Sequence, residues 1–312
     1  MRFGFALPQR QGTDLNRDIT DLARRAEATG FSSLWAYERL LFPVAPLGPL
    51  YDVPELGFDW PEAYRQAAEP LALLTAAAAV TSEIRLATGL LVAPLHHPVQ
   101  LAKSLATIDQ LSGSRLTAGV GLGWSDDEMH AVGTTRSERG RSLDETLDVF
   151  SAVWGPDPVS YRGKAGIIAN AYMLPKPVTK VPVYIGGGYT PASQTRIAKR
   201  ADGWIADGGL GPETVSGIWN AIQQGAADAG RDVNALDFVV QANLTVTAKP
   251  MDSERRPLSG SIEQIVEDLV AYARVGAQES ILNLQLGDPW PGVEGMWETA
   301  LEVFKQASES NS

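Results

Sequence analysis

Short apolar segments alternate with longer amphipathic ones along almost the whole chain, and this alternation limits the possible folds more than any other feature. A short apolar run is typical of a strand in a parallel sheet, whereas apolar residues three and four positions apart are typical of a helix. Eight such strands with helices between them predict an α/β fold, a (β/α)8 TIM barrel with insertions. A doubly wound open sheet has similar local patterns and is the alternative. The predicted strands are 2–7, 33–36, 85–92, 115–121, 183–185, 204–206, 236–246 and 280–284, and the predicted helices are 14–29, 61–79, 98–111, 143–154, 190–200, 212–229, 259–275 and 293–306.

Three stretches interrupt the alternation. Residues near 38–60 are rich in Pro, Gly and aromatic side chains, 155–180 contain a predicted hairpin, and 249–258 are polar. No change in composition of the kind that marks a linker divides the chain. We therefore predict a single domain over residues 1–312, with these three stretches as insertions.

Composition excludes several classes of function. The chain has no Cys and three His, so it cannot form a disulfide scaffold, a thiolate zinc site or a cysteine nucleophile, and we expect no metal. With 26 Lys and Arg against 37 Asp and Glu, the net charge of −11 disfavours nucleic-acid binding. The longest apolar stretch, 71–80, is shorter than the roughly 20 residues of a membrane span, and the N-terminus lacks a signal-peptide core. A cytoplasmic protein without membrane contact is expected.

In a barrel, catalytic and binding side chains come from the loops after the carboxyl ends of the strands. After strand two stand Glu38 and Arg39, which could hold the polar edge of a ligand or form an ion pair at the rim. Gly89 lies inside strand three, where a glycine marks a bulge or the close approach of another group. His96 and His97 follow, and because adjacent side chains cannot both face the barrel centre, one of them is expected to be structural.

The loop after strand four reads GVGLGWSDDE over residues 119–128. It lacks the third glycine of a dinucleotide-binding fingerprint, because that position is Trp124. Its glycines are interpreted as space for a flat ring, with Trp124 as an aromatic wall; a turn with a half-buried Trp is the alternative. The acidic residues at 126–128 favour a helix start; a Mg²⁺ site is a weaker alternative, because neighbouring acidic side chains cannot all converge on one ion.

The loop after strand five, IGGGYTP over 185–191, runs straight into a helix. Thr190 suits the N-cap and Pro191 the first helical position. Three glycines let the backbone amides turn toward one point, where an anion would also meet the positive end of the helix dipole. The loop predicts a phosphate cradle, with a tight structural turn as the alternative. No Walker lysine follows, so a P-loop NTPase is not expected.

These loops, in this order, resemble those of the bacterial luciferase-like monooxygenase family, which uses flavin or deazaflavin cofactors, and in particular its F420-dependent oxidoreductase branch. The resemblance spans nearly the whole chain. Single motifs are weak, but the ordered set is specific. The motifs are AEATGFSSLW at 26–35, LHHPVQLAK at 95–103, IDQLSGSRL at 108–116 followed by 119–128, IGGG at 185–188 and ADGW at 201–204.

The resemblance implies roles for individual residues. Family members carry a non-proline cis peptide in a bulge against the flavin ring, which falls here at Gly89–Leu90. Arg39 would hydrogen-bond a ring carbonyl or stabilise the anionic reduced ring. The implied catalytic residues are Glu38, Arg39 and His97, with Tyr189 a further candidate proton donor. The implied cofactor-binding residues are Gly89, Leu90, Leu91, Val92, Trp124, Arg139, Gly186, Gly187, Gly188 and Tyr189.

The choice of cofactor depends on the loop after strand four. FMN-binding members place an arginine there for the phosphate, and this chain has Leu122, although Arg139 could substitute. The missing charge favours coenzyme F420 over FMN. Sugar-phosphate dehydrogenases of the branch carry a glutamate where this chain has Trp124, which argues against that reaction. The predicted substrate pocket consists of Phe42, Tyr51, Phe58 and Trp60, a set suited to an apolar or conjugated molecule.

The resulting prediction is an oxidoreductase that transfers a hydride between F420 and a small apolar or conjugated substrate. One alternative is an FMNH₂-dependent monooxygenase fed by a separate flavin reductase, and a second is a non-catalytic flavin-binding barrel. The family resemblance also implies a homodimer.

Overall fold

The computed structural model describes residues 1–52, 57–287 and 290–310, so residues 53–56 of the predicted 38–60 insertion lie outside the described part. The strands are β1 Arg2–Ala6, β2 Ser33–Ala36, β3 Arg85–Thr88, β4 Leu91–Val92, β5 Leu116–Gly121, β6 Val159–Gly163, β7 Gly166–Ala171, β8 Val183–Gly186, β9 Gly203–Asp207, β10 Asp237–Asn243, β11 Thr245–Val246, β12 Ser259–Gly260 and β13 Glu279–Asn283. The α-helices are α1 Asp18–Thr29, α2 Pro70–Ala78, α3 Pro98–Ser112, α4 Asp126–Ala131, α5 Arg139–Trp154, α6 Pro191–Arg200, α7 Pro212–Asp228, α8 Ile262–Arg274 and α9 Gly292–Ser310.

Parallel pairings join the strands into a closed barrel. β1 pairs with β2 and with β13, and the remaining neighbours are β2–β3, β3–β5, β5–β8, β8–β9, β9–β10 and β10–β13. β4 continues β3 after a two-residue break and also pairs with β5. The predicted (β/α)8 barrel is confirmed and the open sheet is excluded, because β3 and β5 close the circle. All eight carboxyl ends therefore meet at one rim.

Side chains fill the barrel interior, so it is a core and not a channel. Gly4 is required opposite Trp35, because a Cβ at Gly4 would lie 2.5 Å from Trp35 Nε1. At the amino end, the fully buried carboxylate of Glu279 accepts hydrogen bonds from Ser33 and Arg85. The apolar interior cluster consists of Ala6, Trp35, Ala87, Tyr184, Ile205, Val239 and Ile281. The barrel interior therefore offers no room for a ligand, and the loops at the carboxyl end stay the expected place for the site.

The predicted helix 61–79 is wrong in its first half. Residues Glu62–Tyr64 form a single 3₁₀ turn, and α2 begins only at Pro70. A proline inside a helix removes a backbone hydrogen bond and clashes with the preceding turn, whereas it fits the first helical position. Glu69 caps that start, since its carboxylate accepts from the amides of Leu71 and Ala72.

The insertions have structures of their own. The predicted hairpin is confirmed as the antiparallel pair β6–β7. The 249–258 stretch is flanked by the short parallel pair β11–β12. Strand three, predicted as one element over 85–92, is two strands separated by Gly89 and Leu90. No helix within the described residues is both long and apolar enough to cross a membrane.

Candidate functional site

A small cavity lies on the barrel axis at the carboxyl-end rim. Its volume is about 10 Å³, roughly the space of one water molecule. Ends of β1, β2, β10 and β13 and the break after β3 surround it. The lining residues are Ala6, Trp35, Ala36, Tyr37, Gly89, Gln241, Ile281 and Asn283. The predicted site loops all open at this rim.

Glu38 anchors the segment that interrupts strand three. The peptide bond Gly89–Leu90 is cis, which confirms the expectation. Glu38 donates from its amide to the Leu90 carbonyl at 3.2 Å, and its Oε2 accepts from the Val92 amide at 2.6 Å. Its other oxygen, Oε1, accepts from His96 Nε2 at 2.8 Å. Both oxygens of this buried carboxylate are therefore engaged, and Glu38 is a positioning residue for the bulge.

The two adjacent histidines have different surroundings. His96 is partly buried against Glu38. Burial alone would favour the neutral ring, but the hydrogen bond and negative charge of Glu38 outweigh it and raise the pKa of His96. His97 is exposed, directly before α3. The expected contact of His97 with the site is not formed, and His96 is the imidazole that the structure brings to Glu38.

Arg39 forms a buried ion pair with Glu128. Arg39 Nη1 lies 2.9 Å from Glu128 Oε2, and the two side chains are 9% and 1% exposed. Glu128 Oε1 also accepts from the Leu40 amide at 2.7 Å. Burial raises the pKa of Glu128, although the Arg39 charge opposes that rise. Sequence reasoning treated Glu128 only as part of an acidic helix start; the signal it missed is that a buried arginine needs a carboxylate partner.

Aromatic rings surround the Arg39 guanidinium. Its central carbon lies 5.1 Å from the Trp124 ring, 5.7 Å from Tyr64 and 5.9 Å from Trp60, within cation–π range. Trp60 and Trp124 are 4.7 Å apart, and the hydroxyls of Tyr51 and Tyr64 are 2.5 Å apart. We call the whole set the aromatic cluster; it consists of Tyr37, Phe42, Tyr51, Trp60, Tyr64 and Trp124.

The aromatic cluster contains most of the predicted substrate pocket. Phe42, Tyr51 and Trp60 are brought together, and Trp124 joins them as the expected aromatic wall. Phe58 is 53% exposed and makes no ring contact within the described residues. Tyr37 and Tyr64 are not among the predicted pocket residues, because Tyr64 falls within a predicted helix and only Glu38 and Arg39 are singled out in the loop after strand two.

The space beside two rim glycines is already filled. A Cβ at Gly186 would collide with the Leu90 side chain, and a Cβ at Gly121 would lie 2.8 Å from Leu90 Cδ1. The expectation that the loop after β5 leaves room for a flat ring stays a prediction, and at Gly121 it requires the Leu90 side chain to shift. Leu90, projecting from the bulge, occupies that room, and it can itself form a wall for a ring.

The loop after β8 has the geometry of an anion cradle. Gly187 and Gly188 have φ values of 100° and 99°, which favour glycine. The amides of Gly188 and Tyr189 donate to no group in the described part of the chain. Thr190 caps α6 in a capping box with Ser193. Two free amides beside a helix N-terminus fit a phosphate.

The remaining predicted residues lie near these loops. Arg139 opens α5, and its Nη1 donates to the Gly123 carbonyl at 3.1 Å. Tyr189 is more than half exposed. Trp204 is fully buried in the core, where its Nε1 donates to the Gly187 carbonyl at 2.8 Å and so supports the cradle. Among the described residues, no group of three or more His, Asp or Glu could hold a metal ion.

Comparison with known sequences gives one family. The model of the luciferase-like monooxygenase family matches residues 1–256. An uncharacterised protein of Mycobacterium tuberculosis is 36% identical over 198 residues, which cover 61% of this chain and 68% of that protein. An F420-dependent glucose-6-phosphate dehydrogenase of Amycolatopsis mediterranei is 27% identical over 258 residues, covering 80% of this chain and 72% of the relative.

Solved structures share the fold over nearly the whole chain. The monooxygenase RslO1 from Streptomyces bottropensis superposes with a TM-score of 0.80 at 20% identity, covering 98% of both chains. An F420-dependent secondary alcohol dehydrogenase, solved with an F420–acetone adduct, has a TM-score of 0.75 at 18% identity and the same coverage. At this identity the likeness concerns the fold alone.

Proposed function

Because the chain belongs to the luciferase-like monooxygenase family, we propose that it is an oxidoreductase that exchanges a hydride between coenzyme F420 and a small apolar or conjugated molecule. One observation carries the proposal: the Glu38-anchored bulge and the free amides of Gly188 and Tyr189 belong to loops of the same rim. When bound, F420 supplies a ring carbon that gives or takes a hydride. The residues of the protein would bind the cofactor ring and the substrate and orient them toward each other.

Cofactor residues divide into a ring set and a phosphate set. The segment Gly89–Val92 would pack against the ring, with Leu90 as a wall held between Gly121 and Gly186. The amides after β8 would bind the phosphate. Both sets consist of backbone amides and apolar side chains, which carry no negative charge. The acidic net charge of the protein therefore does not prevent these residues from binding an anionic cofactor.

The proposal of F420 in place of FMN rests on charge. Leu122 stands where FMN-binding members carry an arginine, and it brings no charge to the phosphate. The relatives named F420-dependent glucose-6-phosphate dehydrogenase support the same choice. Their substrate is not carried over, because Trp124 occupies the position of the glutamate used on sugar phosphates and packs within the aromatic cluster.

We propose that Arg39 stabilises negative charge on the cofactor ring and does not act as a proton donor. Guanidinium groups stay protonated in proteins, so Arg39 cannot supply a proton, but it can stabilise negative charge on a reduced ring. Glu38 already accepts two hydrogen bonds. Of the predicted candidate proton donors Glu38, His97 and Tyr189, His97 is exposed and makes no contact with Glu38, and His96 is added as a candidate through its contact with Glu38.

Titration with F420 and with FMN tests the proposal. We expect F420 to bind with micromolar affinity, seen as a change in its fluorescence, and FMN to bind at least about tenfold more weakly. Enones, imines and secondary alcohols would then be screened at the F420 absorbance band. Binding of FMN without binding of F420 would overturn the proposal in favour of an FMNH₂-dependent monooxygenase with a separate reductase. Binding of neither would favour a non-catalytic barrel.

Three further expectations complete the proposal, of which only the homodimer comes from the family resemblance; the single domain rests on the even composition, and the location on the lack of a predicted membrane span or signal-peptide core. The protein is proposed to be a single domain over residues 1–312, a homodimer and cytoplasmic. Light scattering on the purified full chain measures the oligomeric state, and a monomer at micromolar concentration would contradict the second expectation.

A further inference from the structure

Two buried hydrogen-bond donors of the aromatic cluster have no partner among the described residues. They are Trp60 Nε1 and the Tyr37 hydroxyl. Trp60 as a whole is only 7% exposed. Buried polar groups in folded proteins are almost always hydrogen-bonded, because an unmet donor has lost its water without replacement. Two such donors in one cluster can be satisfied by a bound molecule, either water or a ligand with an acceptor atom.

The two donors flank one ring. Tyr37 packs on Tyr64 with ring centroids 5.8 Å apart, and Trp60 packs on the same Tyr64 at 6.3 Å. Tyr37 also lines the axial cavity beside Gly89. The donors thus extend from the barrel axis into the aromatic cluster, next to the bulge where the ring of the proposed cofactor would lie.

The charges around these donors limit what can bind. Trp60 Nε1 can only donate, so the ligand must offer an acceptor. Glu128 balances the charge of Arg39, and Glu38 accepts from His96 and Val92, so neither carboxylate offers a free negative charge to a cation, which disfavours a cationic ligand.

The rings limit the ligand's shape. Ring contacts hold Trp60 in place, and no side-chain hydrogen bond of its own is formed. A flat apolar ligand ring that displaces Trp60 would make ring contacts of the same kind as those it replaces. An acceptor oxygen on that ligand would accept hydrogen bonds from the two donors that have no partner.

We propose that Tyr37 and Trp60 form a subsite for a carbonyl oxygen, and that the ligand is a planar, uncharged ring compound carrying a ketone or enone group. The identification of this ligand as the substrate rests on the proposed function; the subsite itself does not. Tyr37 and Trp60 are specificity-determining residues in this proposal.

A matched pair of ligands tests the subsite. 1-Indanone and indane share one bicyclic skeleton and differ in a single carbonyl group. Their dissociation constants would be measured by ligand-observed NMR on the full chain, without cofactor and with F420. We expect 1-indanone to bind at least about fivefold more tightly than indane. Equal affinities of the wild-type protein for the two ligands would overturn the inference.

Two conservative variants identify the donors. Trp60→Phe and Tyr37→Phe keep a ring and remove the donor, and each should lower the preference for 1-indanone about threefold or more. Trp154→Phe is the matched control, because its Nε1 donates to the Ala102 carbonyl in the outer helix layer; it should leave the preference unchanged. An unchanged preference in both cluster variants would also refute the subsite. F420 binding is read separately, so its failure would refute the proposed cofactor and leave the subsite standing.

Discussion

Two buried carboxylates stand at the rim, and their neighbours give them different tasks. Glu38 accepts from a backbone amide and an imidazole, and so it holds the bulge in place. Glu128 balances the charge of Arg39, which lies among three aromatic rings. A buried arginine without a carboxylate partner would destabilise the folded protein, because its charge would be desolvated without compensation. The ion pair therefore fixes the position of the Arg39 guanidinium beside Glu128.

The role of Glu38 can be tested by removing its charge. Glu38→Gln keeps the shape but weakens two hydrogen bonds to a buried group, so we expect the free energy of unfolding to fall by about 1.5–3 kcal/mol. Urea denaturation measures it. Glu62→Gln is the control, because Glu62 and its partner Arg65 are both more than half exposed, and its effect should stay within about 0.5 kcal/mol. Equal effects of the two substitutions would show that Glu38 does not anchor the bulge.

His96 makes stability depend on pH. Its pKa is raised in the folded state, so Glu38 stabilises the imidazolium. The contribution is fully present below the unfolded-state pKa of about 6.5 and is lost as the pH rises through the raised folded value. The stability difference between the wild type and His96→Gln should therefore be largest at acidic pH and shrink toward alkaline pH.

Urea denaturation at a series of pH values measures this difference. His97→Gln removes the neighbouring imidazole, which is exposed and does not contact Glu38. The same pH dependence in both variants would exclude the contact between Glu38 and His96 as its cause.

At the scale of elements, one side chain connects three strands. Leu90 leaves the break between β3 and β4 and fills the space over Gly121 of β5 and Gly186 of β8. These two glycines therefore leave room for the Leu90 side chain, whereas Gly187 and Gly188 have backbone conformations that favour glycine. The three consecutive glycines 186–188 therefore serve two purposes: the first leaves space for a side chain, and the other two adopt a backbone conformation that favours glycine.

A double-mutant cycle tests the packing of Leu90. Gly186→Ala should destabilise the protein by about 1–3 kcal/mol, since the new methyl group collides with Leu90. Leu90→Ala opens that space, so the double variant should be clearly more stable than the sum of the two single effects predicts. Thermal and urea unfolding measure all three variants.

Gly217→Ala, in the middle of α7, is the matched control. A Cβ there meets no atom within 4 Å, and alanine favours the helix, so this variant should be neutral or more stable by up to about 1 kcal/mol. Additive effects of the Gly186 and Leu90 substitutions would contradict the assigned packing.

At the scale of the molecule, barrel closure gathers the site. Residues after β2, β3, β5 and β8 are far apart in sequence, but parallel strands in a closed barrel bring their carboxyl ends to one rim. The other end holds buried polar pairs such as Glu279 with Arg85, which close the interior. The net charge of −11 is spread over the chain and does not describe the rim, where amides and paired arginines set the local field.

Much of this could be predicted from the sequence, because it depends on local geometry. Apolar spacing distinguishes strands from helices, and Gly, Pro and Thr at loop positions report turns and caps. The barrel, the hairpin, the rim loops and the cap of α6 follow from such patterns. The prediction starts this helix at Pro61 although the signal for its true start, Pro70, is also local.

The sequence by itself determined the order of the barrel strands, the family to which the chain belongs and the rim loops in which we place the site. Only the tertiary structure decided that His96 and not His97 meets Glu38, that Glu128 pairs with Arg39, that Leu90 fills the space at Gly186, and that Tyr37 and Trp60 keep unmet donors. The physical reason is that these contacts join distant segments. Their partners depend on strand register, barrel closure and the direction of each side chain, which no local pattern records.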